Sequence, residues 1–121
     1  MTEGSRVILL STSLCALSSI APHYLLYVMT KGAIEQMVRV LAKDLGRKGI
    51  RVNAVAPGPT GTDLFYKGKS DEVLKTIAGF SPINRLGEPE ELADVMAFLA
   101  SNEGRWVSGQ ILRVNGAMTV G

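Results

Sequence analysis

Two apolar stretches separated by a long helical one constrain this chain most. Val7-Ile8-Leu9-Leu10 comes first, and Val52 to Ala56 closes the unit after a polar break at Gly46 to Gly49. Runs with apolar side chains on both faces suit strands inside a parallel sheet. A strand, helix and strand in that order, joined by a right-handed crossover, become parallel neighbours. We expect strands over 6–12 and 50–56, with a helix over about 24–46 stopped by the glycines. Ile34, Met37, Val38, Leu41 and Leu45 recur with helical spacing and form its expected core stripe. Leu26, Met29 and Ala33 widen the apolar surface beyond one buried face. Downstream, Pro57, Gly58, Pro59, Gly61 and Gly68 predict an irregular stretch over about 57–70. A short helix is expected over 71–80. Pro89, Glu90 and Glu91 open a further helix with the residue types that a helix start favours. Its stripe is Leu92, Val95, Met96 and Leu99, and a final strand is expected over 110–115.

Tyr27 and Lys31 stand four apart near the start of the long helix, so their side chains share one face. A tyrosine hydroxyl titrates near pH ~10 in water, too high for acid–base work at neutral pH. A cation held close favours the phenolate and lowers that value. Bringing it near 7 needs roughly 3 units, or about 4 kcal/mol of differential interaction. One lysine and a helix N-terminus together supply an effect of that order. Long helices often carry an aromatic four residues from a lysine, so the pair needs support from elsewhere in the chain.

That support comes from three places. Ser11-Thr12-Ser13 ends the first strand in hydroxyls. The second strand runs from Arg51 into Pro57-Gly58-Pro59-Thr60-Gly61-Thr62. The segment Gly104 to Gly116 leads into the last strand. With Tyr27 and Lys31, these residues resemble the short-chain dehydrogenase/reductase family from Ser5 onward. The resemblance implies an α/β fold: the C-terminal part of a Rossmann-type doubly wound parallel sheet, with about three strands and three to four helices. Residues 1–121 are then a single partial domain, the catalytic half. The N-terminal Gly-rich βαβ half is expected to be absent, since the thirteen glycines contain no Gly-x-Gly-x-x-Gly opening a helix. A fragment, a truncated gene product and one half of a split protein all fit that expectation, and the isolated chain is expected to be nearly inactive.

The resemblance also implies roles. Tyr27 is the acid–base that hands a proton to a carbonyl oxygen as hydride reaches the carbon. Lys31 supports the tyrosine and hydrogen-bonds the ribose of the nicotinamide half. Ser13 bonds the substrate oxygen, with Ser11 and Thr12 as rivals for that role. Pro57 and Gly58 pass under the nicotinamide, and Thr60 and Thr62 reach its carboxamide or the pyrophosphate. The cofactor is NADP or NAD, with NADP favoured, and the substrate a small carbonyl compound or secondary alcohol. The long helix pairs with its copy in a homo-oligomeric parent, or its extra apolar surface packs on the absent half. Leu64, Phe65, Tyr66 and Phe80 fall in a substrate flap. A non-catalytic fragment that acts through association with other subunits is the alternative.

Charge and composition narrow the remaining classes. A net charge of +2 with interspersed signs gives no nucleic-acid surface. No apolar run approaches the ~18 residues that span a membrane, and the start carries no signal pattern. Cys15 and His23 are the only residues of their types, which argues against a disulfide framework or a metal site. A cytoplasmic enzyme acting on a small molecule is the expectation.

Overall fold

A computed structural model describes residues 1–121. Three strands, β1 (Arg6–Leu10), β2 (Arg51–Pro57) and β3 (Ile111–Val114), form one parallel sheet in the order β1-β2-β3. The register pairs Arg6 with Arg51 and Ala54 with Ile111. The central strand is the core: Val52, Ala54, Val55 and Ala56 are all fully buried. Helix α1 (Leu25–Gly46) covers one face, packing Val38, Leu41 and Leu45 on Val52, Ala54, Val7 and Leu9. Helix α4 (Pro89–Ala100) covers the other, packing Leu92 and Leu99 on Val55, Ile8 and Leu112. Successive strand residues therefore feed opposite layers, as pleating requires. Asn53, on β2, is buried too; it donates to Val107 O at 2.9 Å and accepts from Gln110 N at 3.1 Å. That pair of bonds pins the turn entering β3.

Several boundaries differ from the sequence reading. The first strand, at the edge of the sheet beside β2, ends at Leu10 rather than at residue 12. Ser11 to Ser13 leave the strand because their hydroxyls bond locally and to neighbouring elements, competing with the ladder. Thr12 caps a 3₁₀ turn over Ser13–Ala16 by accepting from Leu14 N at 3.3 Å. Another 3₁₀ turn, Pro22–Tyr24, leads into α1. Its end follows the expectation: Gly49 takes φ +73°, where a side chain is disfavoured, and Ile50 N returns to Leu45 O at 3.2 Å.

The stretch expected to be irregular contains a one-turn helix, α2 (Asp63–Tyr66), capped by Thr62, which accepts from Phe65 N at 3.1 Å. The next helix, α3 (Asp71–Ala78), has Ser70 as its cap. Met37 is exposed, although its spacing places it in the α1 stripe. Glu35, two residues earlier and so turned to another side of the helix, is buried to 4% exposure. Leu26, Met29 and Val40 leave an uncovered apolar face on α1. No helix is long and apolar enough to cross a membrane.

The start of α4 is held electrostatically. Arg85 makes two hydrogen bonds to the Glu91 carboxylate, at 2.6 and 3.0 Å, and Glu88 N donates to it at 3.0 Å. These contacts hold the Glu91 carboxyl down to about 2. A depressed folded value stabilises above the unfolded pKa of ~4.3 and is lost as pH falls through the folded one. The Glu91 side-chain carbon is therefore expected to titrate near pH 2 by NMR. A midpoint above 4 would mean that the pair does not persist in solution.

Candidate active site

The ends of β1 and β2 open on the same rim, where open α/β sheets place their ligand crevice. A cleft of about 1020 Å³ lies there, walled by the loop after β1, the Pro57–Thr62 turn and α4 at Pro89, Leu92 and Met96. Tyr27, Pro57, Gly58, Thr60 and Thr62 all line it. Ser11 and Thr12 line it as well; Ser13 and Lys31 do not. Phe65 and Phe80 enter the wall from the flap, whereas Leu64 points to solvent. Tyr24 also lines the cleft, stacked at 4.2 Å on His23.

Each expected residue is held by its own local geometry. Tyr27 sits in the first turn of α1 with its ring half exposed. Lys31, one turn on, places Nζ 5.8 Å from the centre of that ring and donates to Leu10 O at 3.2 Å. The lysine thus ties the helix to the end of β1. Gly58 donates to Val114 O at 2.9 Å, and a Cβ there would lie 2.6 Å from Asn115 Cβ. The turn can approach the last strand this closely only with glycine. Thr60 Oγ1 donates to Gly58 O at 2.9 Å, and Thr62 Oγ1 caps α2 by accepting from Phe65 N, which leaves its proton free.

The three hydroxyls at the end of β1 are committed differently. Ser13 is fully buried; its Oγ donates to Ala56 O at 2.7 Å and accepts from Asn115 Nδ2 at 3.0 Å. Ser11 Oγ donates to Glu35 Oε2 at 3.0 Å. Thr12 Oγ1 accepts from Leu14 N, which leaves its proton free for the cleft.

A buried polar network behind these hydroxyls escaped the sequence reading. Glu35 Oε1 accepts from Arg113 Nη2 at 2.8 Å while Oε2 takes the Ser11 proton. Burial works against the Glu35 carboxylate, but hydrogen bonds from Arg113, Cys15 and Ser11 outweigh it and lower its pKa. The Cys15 thiol is pushed up, first by burial and then by Glu35. The available signal was a glutamate one turn beyond Lys31 on the apolar side of α1, matched by an arginine inside the apolar β3.

The residues present fit the nicotinamide end of a dinucleotide. The cleft has the volume of a small-molecule site, a backbone turn free of side chain at Gly58, and polar groups at Tyr27, Thr60 and Thr62 on its rim. A three-stranded parallel sheet with helices on both faces and a cleft at its strand ends is a Rossmann-type α/β arrangement. Comparison with known proteins agrees. The family model described as Enoyl-(Acyl carrier protein) reductase matches residues 1–119. A short-chain type dehydrogenase/reductase of Picea abies is 45% identical over 113 residues, which cover 93% of this chain and 41% of that protein. An NADPH-dependent aldehyde reductase-like chloroplastic protein of Arabidopsis thaliana is 44% identical over 113 residues, with the same 93% and 41% coverage. The solved angucycline C-6 ketoreductase LanV, with bound NADP, matches with a TM-score of 0.86 at 38% identity, over 98% of this chain and 45% of that one. The chain belongs to the short-chain dehydrogenase/reductase family. It spans about two fifths of the length of the two plant proteins.

Proposed function

We propose that this chain is the catalytic half of an oxidoreductase that reduces a carbonyl group, or oxidises the corresponding alcohol, with NADP(H). One observation carries the reading: Tyr27 stands in the wall of the strand-end cleft, one helical turn from Lys31 and across from the Pro57–Gly58 turn. When bound, the cofactor supplies or accepts the hydride. Tyr27 donates the proton to the carbonyl oxygen. Lys31 keeps a positive charge beside the phenol and anchors the helix on Leu10 O. Pro57, Gly58, Thr60 and Thr62 hold the nicotinamide end. NADP is preferred because the Arabidopsis relative is NADPH-dependent by name and LanV was solved with NADP. The cleft wall, with Leu17, Ile20, Phe65 and Phe80, suits an apolar carbonyl compound.

The donor to the substrate oxygen is Ser13 by family resemblance. Thr12 is a second candidate, favoured by its uncommitted proton and its place in the cleft wall. The uncovered apolar face of α1 at Leu26, Met29 and Val40 supports a different second reading, in which the chain acts by association with other subunits, its own copies included.

The test is a titration of the chain with NADPH and NADH followed by cofactor fluorescence, then carbonyl turnover in the chain, in Ser13→Ala and in Thr12→Val. Saturable binding, tighter for NADPH, is expected. No binding by a demonstrably folded chain would remove the catalytic reading and leave the association one. The variant that loses at least ~10² in turnover, the scale of one oxyanion donor, identifies the substrate-oxygen donor.

A further inference from the structure

Lys31 and Glu35 occupy successive turns of α1 and grip successive residues at the end of β1. Lys31 Nζ takes Leu10 O at 3.2 Å, and Glu35 Oε2 takes the Ser11 hydroxyl at 3.0 Å. Thr12 and Ser13 follow directly. On the other side Glu35 Oε1 holds Arg113 of β3 at 2.8 Å, and two residues on Asn115 holds Ser13 Oγ at 3.0 Å. The hydroxyl turn is therefore fixed to α1 and to the end of β3 at once, with Glu35 spanning both. A buried carboxylate bearing three hydrogen-bonding partners is expensive to retain as a mere filler between apolar layers.

We infer that Glu35 is a positioning residue: through Ser11 and Arg113 it holds the Thr12–Ser13 turn in register with Tyr27 and Lys31 on α1. Its catalytic consequence rests on the carbonyl-reductase reading; its structural consequence does not. With the carboxylate present, the turn's hydroxyls keep a fixed distance from the phenol one helical turn before Lys31. Without it, Ser11 loses its shorter acceptor and keeps the 3.5 Å contact to Lys31 O, and Arg113, whose Nη1 already lacks a partner, loses its counter-charge.

Amide hydrogen exchange of the chain tests the structural part. In Glu35→Ala, the amides of Ser11 and Cys15, bonded to Val55 O and Thr12 O, are expected to exchange at least tenfold faster, while Ala54 on β2 changes far less. Because stranding Arg113 threatens the fold, Glu35→Ala/Arg113→Met removes both charges. This double variant is expected to regain stability yet keep the fast exchange at Ser11 and Cys15. Glu35→Gln, which retains an acceptor for Ser11, should restore most of the protection. Uniform acceleration across the chain, or protection restored in the double variant, would reduce Glu35 to a charge partner and overturn the inference. Turnover adds a second readout: the double variant should lose at least tenfold in kcat, with NADPH affinity within about twofold. If the folded, unaltered chain binds no NADPH, the reductase reading fails, and exchange at Ser11 and Cys15 still decides whether Glu35 holds the turn.

Discussion

Tyr27→Phe is expected to lower whatever carbonyl reduction the chain supports about 10²- to 10⁴-fold, the usual contribution of a positioned acid. In free energy that is about 3 to 5 kcal/mol of lost transition-state stabilisation. The substitution removes one oxygen from a half-exposed ring and leaves its packing alone, so the fold should change in stability by less than about 0.5 kcal/mol. Single-turnover oxidation of NADPH is the measurement, because it isolates the chemical step from product release. Lys31 makes a poorer probe: its replacement also cuts the bond to Leu10 O and frees the end of β1. Turnover in Tyr27→Phe close to that of the unaltered chain would move the proton donor to another residue lining the cleft.

The largest stability effect is expected at Leu99→Ala. Leu99 is 1% exposed and packs with Leu92 against Val55 beneath α4. Truncation there loses both the transfer free energy and the filling of a cavity, about 2–5 kcal/mol. The upper half of that range applies. Gly104 lies so close that a Cβ on it would stand 3.2 Å from Leu99 Cα, so the backbone on that side has little room to move into the void. Against a total of roughly 5–15 kcal/mol for a domain, urea denaturation should register a large fall in midpoint. Met37→Ala provides the contrast. It should cost less than about 0.5 kcal/mol, as an exposed side chain does. A cost at Met37 comparable to that at Leu99 would mean that this face of α1 is covered in solution.

Those two positions also show what the sequence could and could not reveal. Strong periodic elements were legible: the apolar strands, α1 and its glycine stop, and α4 with Pro89 at its start follow from spacing and end chemistry. The end of β1 at Leu10 was not, because an apolar run closed by three hydroxyls does not say which of them leave the ladder. Met37 fell outside the buried face since an apolar stripe wide enough for two surfaces does not say which one meets the sheet. The Tyr27 and Lys31 pair was visible because its logic is local, one turn of one helix. The pairing of Glu35 with Arg113, and of Ser13 with Asn115, joins residues far apart in the chain. Sequence spacing carries no trace of such contacts. The capping of α2 by Thr62 was hidden by the glycines and prolines around it, although threonine before aspartate is a helix-start signal.

The strand pairing has a kinetic consequence. Residue 6 finds its partner at 51, and residue 54 at 111, so no strand in this sheet can be completed from its neighbours in the chain. Long loops must close before any of that pairing stabilises the molecule. Helix α1 can form early, but the register of the sheet must wait for those closures. Refolding from denaturant should accordingly be slow for a chain of this size, and the open side of β1 stays available to other chains throughout that delay.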